Sequence, residues 1–488
     1  MFESEFLTSG GDAKKAYERL IHRAAEIVCG TLPTQPYSGR SPRALLEAVP
    51  LDFLPDMERP WEEIASILRT VVANSAIVSH PNTAAHLHCP PLLAALAAEV
   101  AITALNQSMD SFDQAPIASV VEQKMIRWLC EMTGLPGTAD GTFTTGGSQS
   151  NYMGLLLARD AFLQKHWKLS AQKSGLPTEA RRLRILCSEV AHFTVEKSAS
   201  QLGLGTEAVV RVEVDQRFRM KPDDLREHLA SMRLKGFLPA AIVATAGTTD
   251  FGSVDPLSKI STLARESGIW LHVDAAYGGA LLFSAQHRNR LAAIEAADSV
   301  AIDFHKLLWQ PIPCSVFLLR DAKHFDSIKL YADYLNPELQ EEEGIPNLVT
   351  TSLLTSRRFD ALKLWISLQS LGRKKLAAMI DRTIALANHA AEVIRAADDL
   401  ELLCEPQLST VVFRYLAGGA QSDVDRINTE IRQRLFDRGV AVVGHTRVRG
   451  RQCLKFTCMN PTATEAHMEA VIELVRSEGQ RSTAEGSI

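Results

Sequence analysis

Short apolar runs alternate with amphipathic segments between about residue 90 and residue 371. The runs with β-type composition are residues 184–187, 209–212, 241–244, 270–274, 299–302 and 316–319. Strands that alternate with helices form a mainly parallel sheet covered on both faces, and such sheets bind ligands at the carboxyl ends of their strands. The pattern therefore predicts an α/β fold with its binding site at that edge of the sheet.

Different patterns flank this region. Apolar residues follow helical spacing over residues 12–32, which predicts an N-terminal helical arm whose apolar stripe packs either on its own chain or on a partner subunit. A long helix over 374–397 and the β-type runs 410–414, 440–443 and 453–457 are typical of a smaller α+β domain that ends with a helix to residue 476. We expect an arm and dimerisation segment over 1–89, a large domain over 90–372 and a small domain over 373–488. The last ten residues or so are expected to fray.

The composition points to small-molecule partners. With 488 residues, 46% of them hydrophobic, the chain can bury a large core. The formal net charge of −5 offers no basic stripe for nucleic acid, and no apolar run approaches the ~20 residues that cross a membrane. We therefore expect neither a nucleic-acid partner nor a membrane partner.

The N-terminal sequence and the cysteines predict a cytoplasmic protein. Residues 1–6 lack the basic and apolar stretches of a secretory signal. The eight cysteines are scattered without a paired metal-ligand spacing, and a chain of this size needs no disulfide framework. We expect reduced, mostly packed thiols and no metal site.

An aspartate and a lysine stand at the ends of two successive apolar runs. Asp274 closes the run 270–274, and the pair His305 and Lys306 follows the run 299–302. A charged group in an apolar setting is costly unless it is paired, which favours a functional role over a solvated position. A lysine amine condenses with an aldehyde as a Schiff base, and a carboxylate opposite a pyridine nitrogen keeps that nitrogen protonated. Neighbouring strands that deliver both groups to one site would meet the needs of pyridoxal 5′-phosphate.

The segment 144–151, Thr-Thr-Gly-Gly-Ser-Gln-Ser-Asn, lies between a β-type stretch and a predicted helix. Glycines permit close approach of the backbone, hydroxyls donate hydrogen bonds, and a helix N-terminus carries partial positive charge, so this loop suits a phosphate group. It has neither the Gly-Lys-Ser/Thr ending of a Walker loop nor the Gly-x-Gly-x-x-Gly fingerprint of dinucleotide-binding proteins. An ordinary capped loop is the alternative that the motif alone leaves open.

Together and in this order, the motifs between about residues 81 and 461 resemble group II pyridoxal-phosphate amino-acid decarboxylases, the family of aromatic amino-acid and glutamate decarboxylases. The resemblance implies a fold-type I enzyme that releases carbon dioxide from an amino acid. It also implies cofactor contacts: Gly147 and Ser148 would hold the phosphate, His192 would stack on the ring, Thr248 and Ala276 would contact the cofactor, Asp274 would bind the pyridine nitrogen, Lys306 would carry the cofactor, and His305 would touch the phosphate or the substrate carboxylate.

The polar stretch between Lys306 and residue 357 resembles the mobile catalytic loop of these enzymes. In the family, a tyrosine of this loop reaches across the interface of a homodimer and protonates the substrate carbon after carbon dioxide leaves. Tyr334 matches its position and Tyr331 is the alternative. The resemblance thus implies a homodimer with shared active sites, while a plain surface tyrosine is the alternative reading of this position.

The resemblance also bears on the substrate. Residues 85–90, 104–114, 309–311 and 336–347 look most like bacterial decarboxylases of diamino acids. His88 and Phe112 are candidate substrate contacts in the first two segments, and Lys455 stands where many relatives have an arginine for the α-carboxylate. A lysine supplies that charge as a point donor rather than as a bidentate fork. We expect conversion of L-2,4-diaminobutyrate to 1,3-diaminopropane, with lysine, ornithine, aspartate and cysteine sulfinate as alternative substrates.

Acidic side chains in these segments would favour a cationic substrate, although such runs are usually solvated faces. They are Asp110, Asp113, Glu338, Glu341, Glu342 and Glu343. Two other classes share part of the overall pattern. An aminotransferase or a carbon–sulfur lyase would use the same aspartate and lysine, and a catalytically silent relative would serve as a binding partner.

Overall fold

A computed structural model of the chain describes residues 5–49, 53–416 and 420–485, apart from the side chain of Glu341. Residues 1–4 of the segment expected to lack a secretory signal lie outside the described residues, and so do residues 486–488 of the expected tail.

Helices and strands alternate through the described part of the chain. The α-helices are α1 (Gly11–Thr31), α2 (Pro42–Ala48), α3 (Trp61–Ala73), α4 (Leu93–Leu105), α5 (Pro116–Thr133), α6 (Gly147–Trp167), α7 (Ala171–Ser174), α8 (Thr194–Gln201), α9 (Pro222–Lys235), α10 (Leu257–Ser267), α11 (Glu338–Glu342), α12 (Asp360–Ala396), α13 (Gln421–Asp437) and α14 (Glu465–Glu485). The strands are β1 (Thr83–Ala84), β2 (Asp140–Thr144), β3 (Leu183–Ser188), β4 (Val209–Val212), β5 (Leu238–Thr245), β6 (Trp270–Asp274), β7 (Ser299–Asp303), β8 (Ser315–Leu319), β9 (Leu400–Leu402), β10 (Thr410–Tyr415), β11 (Val442–Val448) and β12 (Arg451–Thr457). The six β-type runs predicted between residues 184 and 319 are all strands, β3 to β8.

The chain divides into two compact units. The terminal unit comprises Met1–His86, His389–Leu403 and Val412–Ile488, and the central unit comprises Leu87–Asn388 and Cys404–Val411. The division into three segments that we expect from the sequence stays a prediction.

A seven-stranded sheet forms the core of the central unit, in the order β2-β8-β7-β6-β5-β3-β4. Strands β7, β6, β5, β3 and β4 run parallel to their neighbours in that group, whereas β8 is antiparallel to both β2 and β7. The strands are rich in buried aliphatic residues because helices such as α6 and α10 cover the sheet. The predicted α/β fold with a mainly parallel sheet is confirmed.

The register of this sheet aligns the strand ends that carry polar residues. Thr245 of β5 pairs with Asp274 of β6, and Asp274 pairs with Ala301 of β7. The chain then leaves β6 after Asp274 and β7 after Asp303. Residues that follow these strands therefore lie at one edge of the sheet.

Helix α12 contains one interruption. Gly372 has φ 67° and ψ 166°, a left-handed φ that glycine adopts without steric cost. The helix predicted to begin near residue 374 corresponds to the part of α12 that follows this kink. The part of α12 before the kink begins at Asp360.

The terminal unit contains the second sheet, in the order β1-β11-β12-β10-β9. The tail expected for the last ten residues is wrong for residues 479–485, which extend α14. Glu478 and Ser482 are buried, and a Cβ at Gly479 would lie 2.7 Å from the ring of Tyr415. These turns stay helical because they pack against the unit, which the polar composition did not indicate.

Several expectations concern the chain as a whole. The eight cysteines are free, and six of them are buried. Within the described ranges, no helix is both long and apolar enough to cross a membrane. The same residues contain no cluster of three or more His, Cys, Asp or Glu side chains placed to hold a metal ion.

Candidate active site

A cavity of about 250 Å³ lies at the carboxyl ends of β5, β6 and β7 in the central unit. Its lining residues are Gly146, Gly147, Ser148, Asn151, His192, Thr245, Gly247, Thr249, Asp274, Ala276, Tyr277, Asp303, His305 and Lys306. The structure thus brings together seven residues singled out from the sequence, namely Gly147, Ser148, His192, Asp274, Ala276, His305 and Lys306. The site lies at the edge of the sheet that the strand pattern predicts.

Asp274 is the last residue of β6 and is 6% exposed. Its Oδ2 accepts a hydrogen bond from Nδ2 of Asn151 over 2.8 Å, and its Oδ1 accepts one from the backbone N–H of Ala276 over 3.1 Å. Each carboxylate oxygen therefore has one fixed donor, which holds the group in a single orientation at the cavity wall.

Lys306 follows β7 and meets a carboxylate that the sequence analysis did not single out. Its Nζ lies 2.8 Å from Oδ2 of Asp303, and the hydroxyl of Ser315 donates to the other oxygen of this group over 2.7 Å. Burial raises the pKa of Asp303, but the charges of Lys306 and His305 and the hydrogen bonds from Lys306 and Ser315 outweigh it and hold this pKa below its ordinary value. The lysine amine is thus held at the cavity by an ionised partner.

His305 lies beside this pair. Its Nδ1 is 2.9 Å from the carbonyl oxygen of Cys314, and its Nε2 is 3.7 Å from Asp303 Oδ2. Burial lowers the pKa of His305 more than the neighbouring carboxylate raises it. The ring is therefore neutral near pH 7 and available as a hydrogen-bonding group.

The glycine-rich loop joins β2 to α6 at the cavity. A Cβ at Gly147 would lie 3.1 Å from both Ala276 Cβ and Asp303 Oδ2, so a side chain at this position would crowd the wall of the cavity. Helix α6 begins at Gly147 and is 21 residues long, and the dipole and backbone N–H groups of its first turn favour an anionic group at this end.

His192 lines the cavity from the segment between β3 and α8. Its Nδ1 is 2.9 Å from Oγ1 of Thr194, the first residue of α8. Burial lowers the pKa of His192, although Asp274 opposes this effect. A neutral, half-buried ring at the cavity is suited to stacking on a flat ligand.

Threonines at and after the end of β5 line one side of the cavity. Oγ1 of Thr245 is buried and has no hydrogen-bond partner among the described residues. Thr249 also lines the cavity, whereas the predicted contact Thr248 does not. The buried hydroxyl of Thr248 lies 2.7 Å from Oγ of Ser253, so it forms a hydrogen bond within the turn.

Other residues predicted for the site are not part of the cavity lining. His88 is exposed and Phe112 is half-buried. Tyr334 is 90% exposed and Tyr331 is 42% exposed, and both precede α11. Lys455 belongs to the terminal unit, where it is buried on β12 and pairs with Gly444 of β11. The roles of these residues stay predictions.

Seven residues of the cavity lining were not singled out from the sequence: Gly146, Asn151, Thr245, Gly247, Thr249, Tyr277 and Asp303. Asn151 lies four residues after Gly147 in α6 and so faces the same side of the helix. Asp303 lies three residues before Lys306 at the end of an apolar run. The helical spacing and the strand end are the signals that would have identified Asn151 and Asp303.

Comparison with known proteins decides the family. A family profile described as "Pyridoxal-dependent decarboxylase conserved domain" matches residues 42–416. The chain belongs to this family. The resemblance found in the motifs is therefore confirmed, and this decarboxylase is an enzyme that uses pyridoxal 5′-phosphate.

Individual relatives are similar to this decarboxylase over nearly its whole length. A protein of Acinetobacter baumannii named L-2,4-diaminobutyrate decarboxylase is 40% identical over 95% of this chain and 93% of its own. A protein of the same name from Rhizobium meliloti (strain 1021) is 39% identical over 96% of this chain and 93% of its own. A crystal structure from Vibrio parahaemolyticus has a TM-score of 0.90 and 39% identity, and the match covers 98% of this chain and 99% of that one. It is described as the glutamate decarboxylase domain of diaminobutyrate-pyruvate transaminase and L-2,4-diaminobutyrate decarboxylase.

The chemical groups that line the cavity of this decarboxylase fit pyridoxal 5′-phosphate. Lys306 supplies an amine, Asp274 a fixed carboxylate, and the N-terminus of α6 an anion-binding end. The unpartnered hydroxyl of Thr245 and the space left by Gly147 also call for a polar ligand that approaches the wall closely. Pyridoxal 5′-phosphate carries an aldehyde, a pyridine nitrogen and a phosphate, and these groups of the cavity match those features.

Proposed function

We propose that this decarboxylase removes the α-carboxyl group of L-2,4-diaminobutyrate and yields 1,3-diaminopropane and carbon dioxide. The observation that carries the proposal is its similarity, over nearly the whole chain, to two proteins that bear the name of this activity. The match to the Vibrio parahaemolyticus structure supports the same substrate class.

The residues around the cavity have distinct roles in this proposal. When bound, pyridoxal 5′-phosphate accepts the electron pair of the bond to the departing carboxylate. Lys306 holds the cofactor covalently, and Asp274 holds a proton on the pyridine nitrogen. Gly147 and Ser148, at the start of α6, hold the phosphate. His192 packs on the ring, and His305 touches the phosphate or the substrate carboxylate.

The protein is proposed to act as a homodimer with shared active sites. Apolar side chains of α1 are exposed, among them Leu20, Ile21 and Val28, as are Leu93 and Val100 of α4. Exposed apolar side chains on a helix are typical of interfaces. Tyr334, which is 90% exposed, is proposed to serve the cavity of the partner subunit, where its hydroxyl would deliver a proton to the substrate carbon.

Substrate selection is proposed to depend on side chains outside the cofactor cavity. Asp110 is buried, whereas Glu338, Glu342 and Glu343 are exposed, and the side chain of Glu341 lies outside the described residues. These carboxylates would favour the second amino group of a diamino acid. His88, Phe112 and Lys455 are the further proposed contacts, with Lys455 on the α-carboxylate. A cytoplasmic location is part of the same proposal and is tested by cell fractionation.

Turnover of five amino acids tests the substrate. Purified protein loaded with pyridoxal 5′-phosphate is incubated with L-2,4-diaminobutyrate, lysine, ornithine, aspartate and cysteine sulfinate, and the released carbon dioxide and the product amine are measured. We expect the highest kcat/KM with L-2,4-diaminobutyrate. A keto acid product would identify transamination instead, and a preference for aspartate or cysteine sulfinate would refute the diamino-acid assignment.

A further inference from the structure

Buried polar side chains form a chain of hydrogen bonds that ends at Asp274. Nε1 of Trp270 donates to Oγ of Ser299 over 2.9 Å, and this oxygen lies 2.8 Å from Nδ1 of His272. On the other side of the ring, Nε2 of His272 lies 2.9 Å from Oδ1 of Asn151. Nδ2 of Asn151 then donates to Oδ2 of Asp274 over 2.8 Å. His272 and Ser299 are both completely buried, so no water competes for these bonds.

Only one arrangement of protons satisfies this chain. A carboxylate at Asp274 accepts hydrogen bonds and cannot donate them, so the amide nitrogen of Asn151 must face it. The amide oxygen of Asn151 therefore faces His272 and requires a proton on Nε2 of the ring. Burial lowers the pKa of His272 to about 4, so the ring is neutral and its Nδ1 accepts from the hydroxyl of Ser299. The indole N–H of Trp270, which can only donate, completes the chain.

A second arm leads from Asn151 to the ring that lines the cavity. Nδ2 of Asn151 also donates to Oγ1 of Thr194 over 3.0 Å, and this hydroxyl lies 2.9 Å from Nδ1 of His192. Oγ1 of Thr194 accepts the hydrogen bond from Asn151, and its own O–H is free to donate to Nδ1 of His192. The backbone N–H of Thr194 points to the same ring nitrogen over 3.4 Å. His192 is thereby fixed as the tautomer that carries its proton on Nε2.

A glycine in the middle of α6 makes room for this arrangement. A Cβ at Gly154 would lie 2.4 Å from Nδ1 of His272. Glycine inside a helix is destabilising relative to alanine, so its presence here is explained by the close approach of the histidine ring. The packing of α6 therefore fits the position of the His272 ring as well as its hydrogen bonds.

We propose that Asn151 is a positioning residue for cofactor binding, because its one amide group sets both the orientation of the Asp274 carboxylate and the tautomer of His192, and that His272 fixes the orientation of that amide. The proposal rests on the cofactor-facing roles proposed above for Asp274 and His192. It does not depend on which amino acid is the substrate, because both groups face the cofactor.

The first test replaces Asn151 with an apolar residue of similar size. In Asn151→Leu, we expect the dissociation constant of pyridoxal 5′-phosphate, measured by titration of the cofactor-free protein, to rise about 10- to 100-fold. We expect kcat to fall by a similar factor with a smaller change in KM, and the pH at which the absorbance band of the bound cofactor changes to shift. A merely structural residue would not move that pH.

Variants of the neighbours separate the parts of the chain. His272→Gln keeps an N–H group that can donate to Asn151, so its cofactor affinity is expected within about threefold of wild type, whereas His272→Leu is expected to resemble Asn151→Leu. Gly154→Ala adds only a methyl group that displaces the ring and is expected to resemble His272→Leu. Thr194→Val removes the second arm alone, so we expect near-normal cofactor affinity but a changed pH profile of kcat.

A matched control comes from the terminal unit. Asn428 is completely buried and makes the same number of hydrogen bonds through its amide, to the backbone of Tyr415 and Val424. Asn428→Leu is expected to lower stability without changing the affinity of the folded protein for the cofactor. Equal losses of affinity in Asn428→Leu and Asn151→Leu would overturn the proposal.

The remaining outcomes are decisive in the same way. A folded Asn151→Leu protein with wild-type cofactor affinity and an unshifted pH titration would refute the proposal. If Asn151→Leu does not fold, the cofactor affinities of His272→Gln and His272→Leu test the proposal instead. Equal affinities in these two variants would refute it. A wild-type protein that binds the cofactor but releases no carbon dioxide from L-2,4-diaminobutyrate would end the substrate proposal only, because the present test is scored on cofactor binding.

Discussion

The ammonium group of Lys306 lies 2.8 Å from the carboxylate of Asp303, three residues earlier in the chain. The carboxylate side chain is 2% exposed, and it has a second donor in Ser315. The lysine that would carry the cofactor is therefore paired with a buried carboxylate at the cavity wall.

Loss of this ion pair is expected to destabilise the cofactor-free protein. Asp303→Asn keeps the shape of the side chain but leaves the Lys306 charge without its partner, so we expect the free energy of unfolding to fall by about 1–3 kcal/mol. Urea denaturation of the cofactor-free protein measures the change. Asp321→Asn is the control, because Asp321 pairs with an exposed lysine, Lys323, and should cost less than about 1 kcal/mol. Equal changes in both variants would show that burial adds nothing to the pair at Asp303.

Replacement of Lys306 is expected to abolish the covalent link to the cofactor, whereas replacement of Asp274 is expected to lower kcat. Lys306→Ala should prevent borohydride from fixing the cofactor to the protein, as measured by the mass of the intact chain. Asp274→Asn should keep that covalent link, since the lysine is present, but lower kcat by about 100- to 1000-fold because the carboxylate proposed to bind the pyridine nitrogen is lost. Near-normal turnover in Asp274→Asn would refute the proposed role of this residue.

Tyr334 is expected to act after the carboxylate has left. Tyr334→Phe should bind the cofactor normally but suppress release of the amine, whereas the matched variant Tyr331→Phe should keep most of the activity. The reverse result would assign the proton donor to Tyr331.

The same tyrosine gives a test of the shared site. If Tyr334 serves the partner subunit, a mixture of Lys306→Ala and Tyr334→Phe subunits contains mixed dimers in which one of the two sites is intact. After the two inactive proteins are unfolded and refolded together, we expect roughly a quarter of wild-type activity. Mixtures that stay inactive, although mixed dimers are detected, would contradict a contribution across the interface.

His272 is expected to make stability depend on pH. Its pKa is about 4 in the folded protein, below the ordinary value of 6.5, because burial disfavours the charged ring. Above pH 6.5 the ring is neutral in both states. As the pH falls from 6.5 towards 4, only the unfolded state takes up the proton, so up to about 3 kcal/mol of stability is lost over this window. Unfolding of wild type and His272→Gln at pH 7 and pH 4.5 measures the difference, and parallel losses in both proteins would show that another group titrates instead.

The sequence predicted the parts of the site that depend on strand ends. Asp274 and Lys306 were identifiable because each charged group closes or follows an apolar run, and a parallel sheet places such ends together. Gly147 and Ser148 were identifiable because a glycine-rich loop precedes a helix. These signals are local, so no long-range information was needed.

The missed residues depend on contacts between distant segments. Asn151 belongs to the glycine-rich segment 144–151, but its amide contacts lie in β6 and at the start of α8, far along the chain. Asp303 gains its role only when the turn after β7 brings Lys306 back onto it. The resemblance implies a cofactor contact at Thr248, whose hydroxyl lies 2.7 Å from Oγ of Ser253, whereas Thr245 and Thr249 line the cavity. The role of Thr248 stays a prediction. Neither periodicity nor composition distinguishes adjacent threonines in a turn.

The pairing of β2 with β8 has a consequence for how the protein is made. Strand β2, which leads into the loop at Gly147, lies at the end of the sheet order and pairs with β8, whose residues are synthesised much later. A growing chain on the ribosome therefore cannot set this loop in place until Leu319 has emerged. Cofactor capture becomes a late event in biogenesis, and nascent or prematurely terminated chains that stop before β8 would leave the ribosome unable to retain pyridoxal 5′-phosphate.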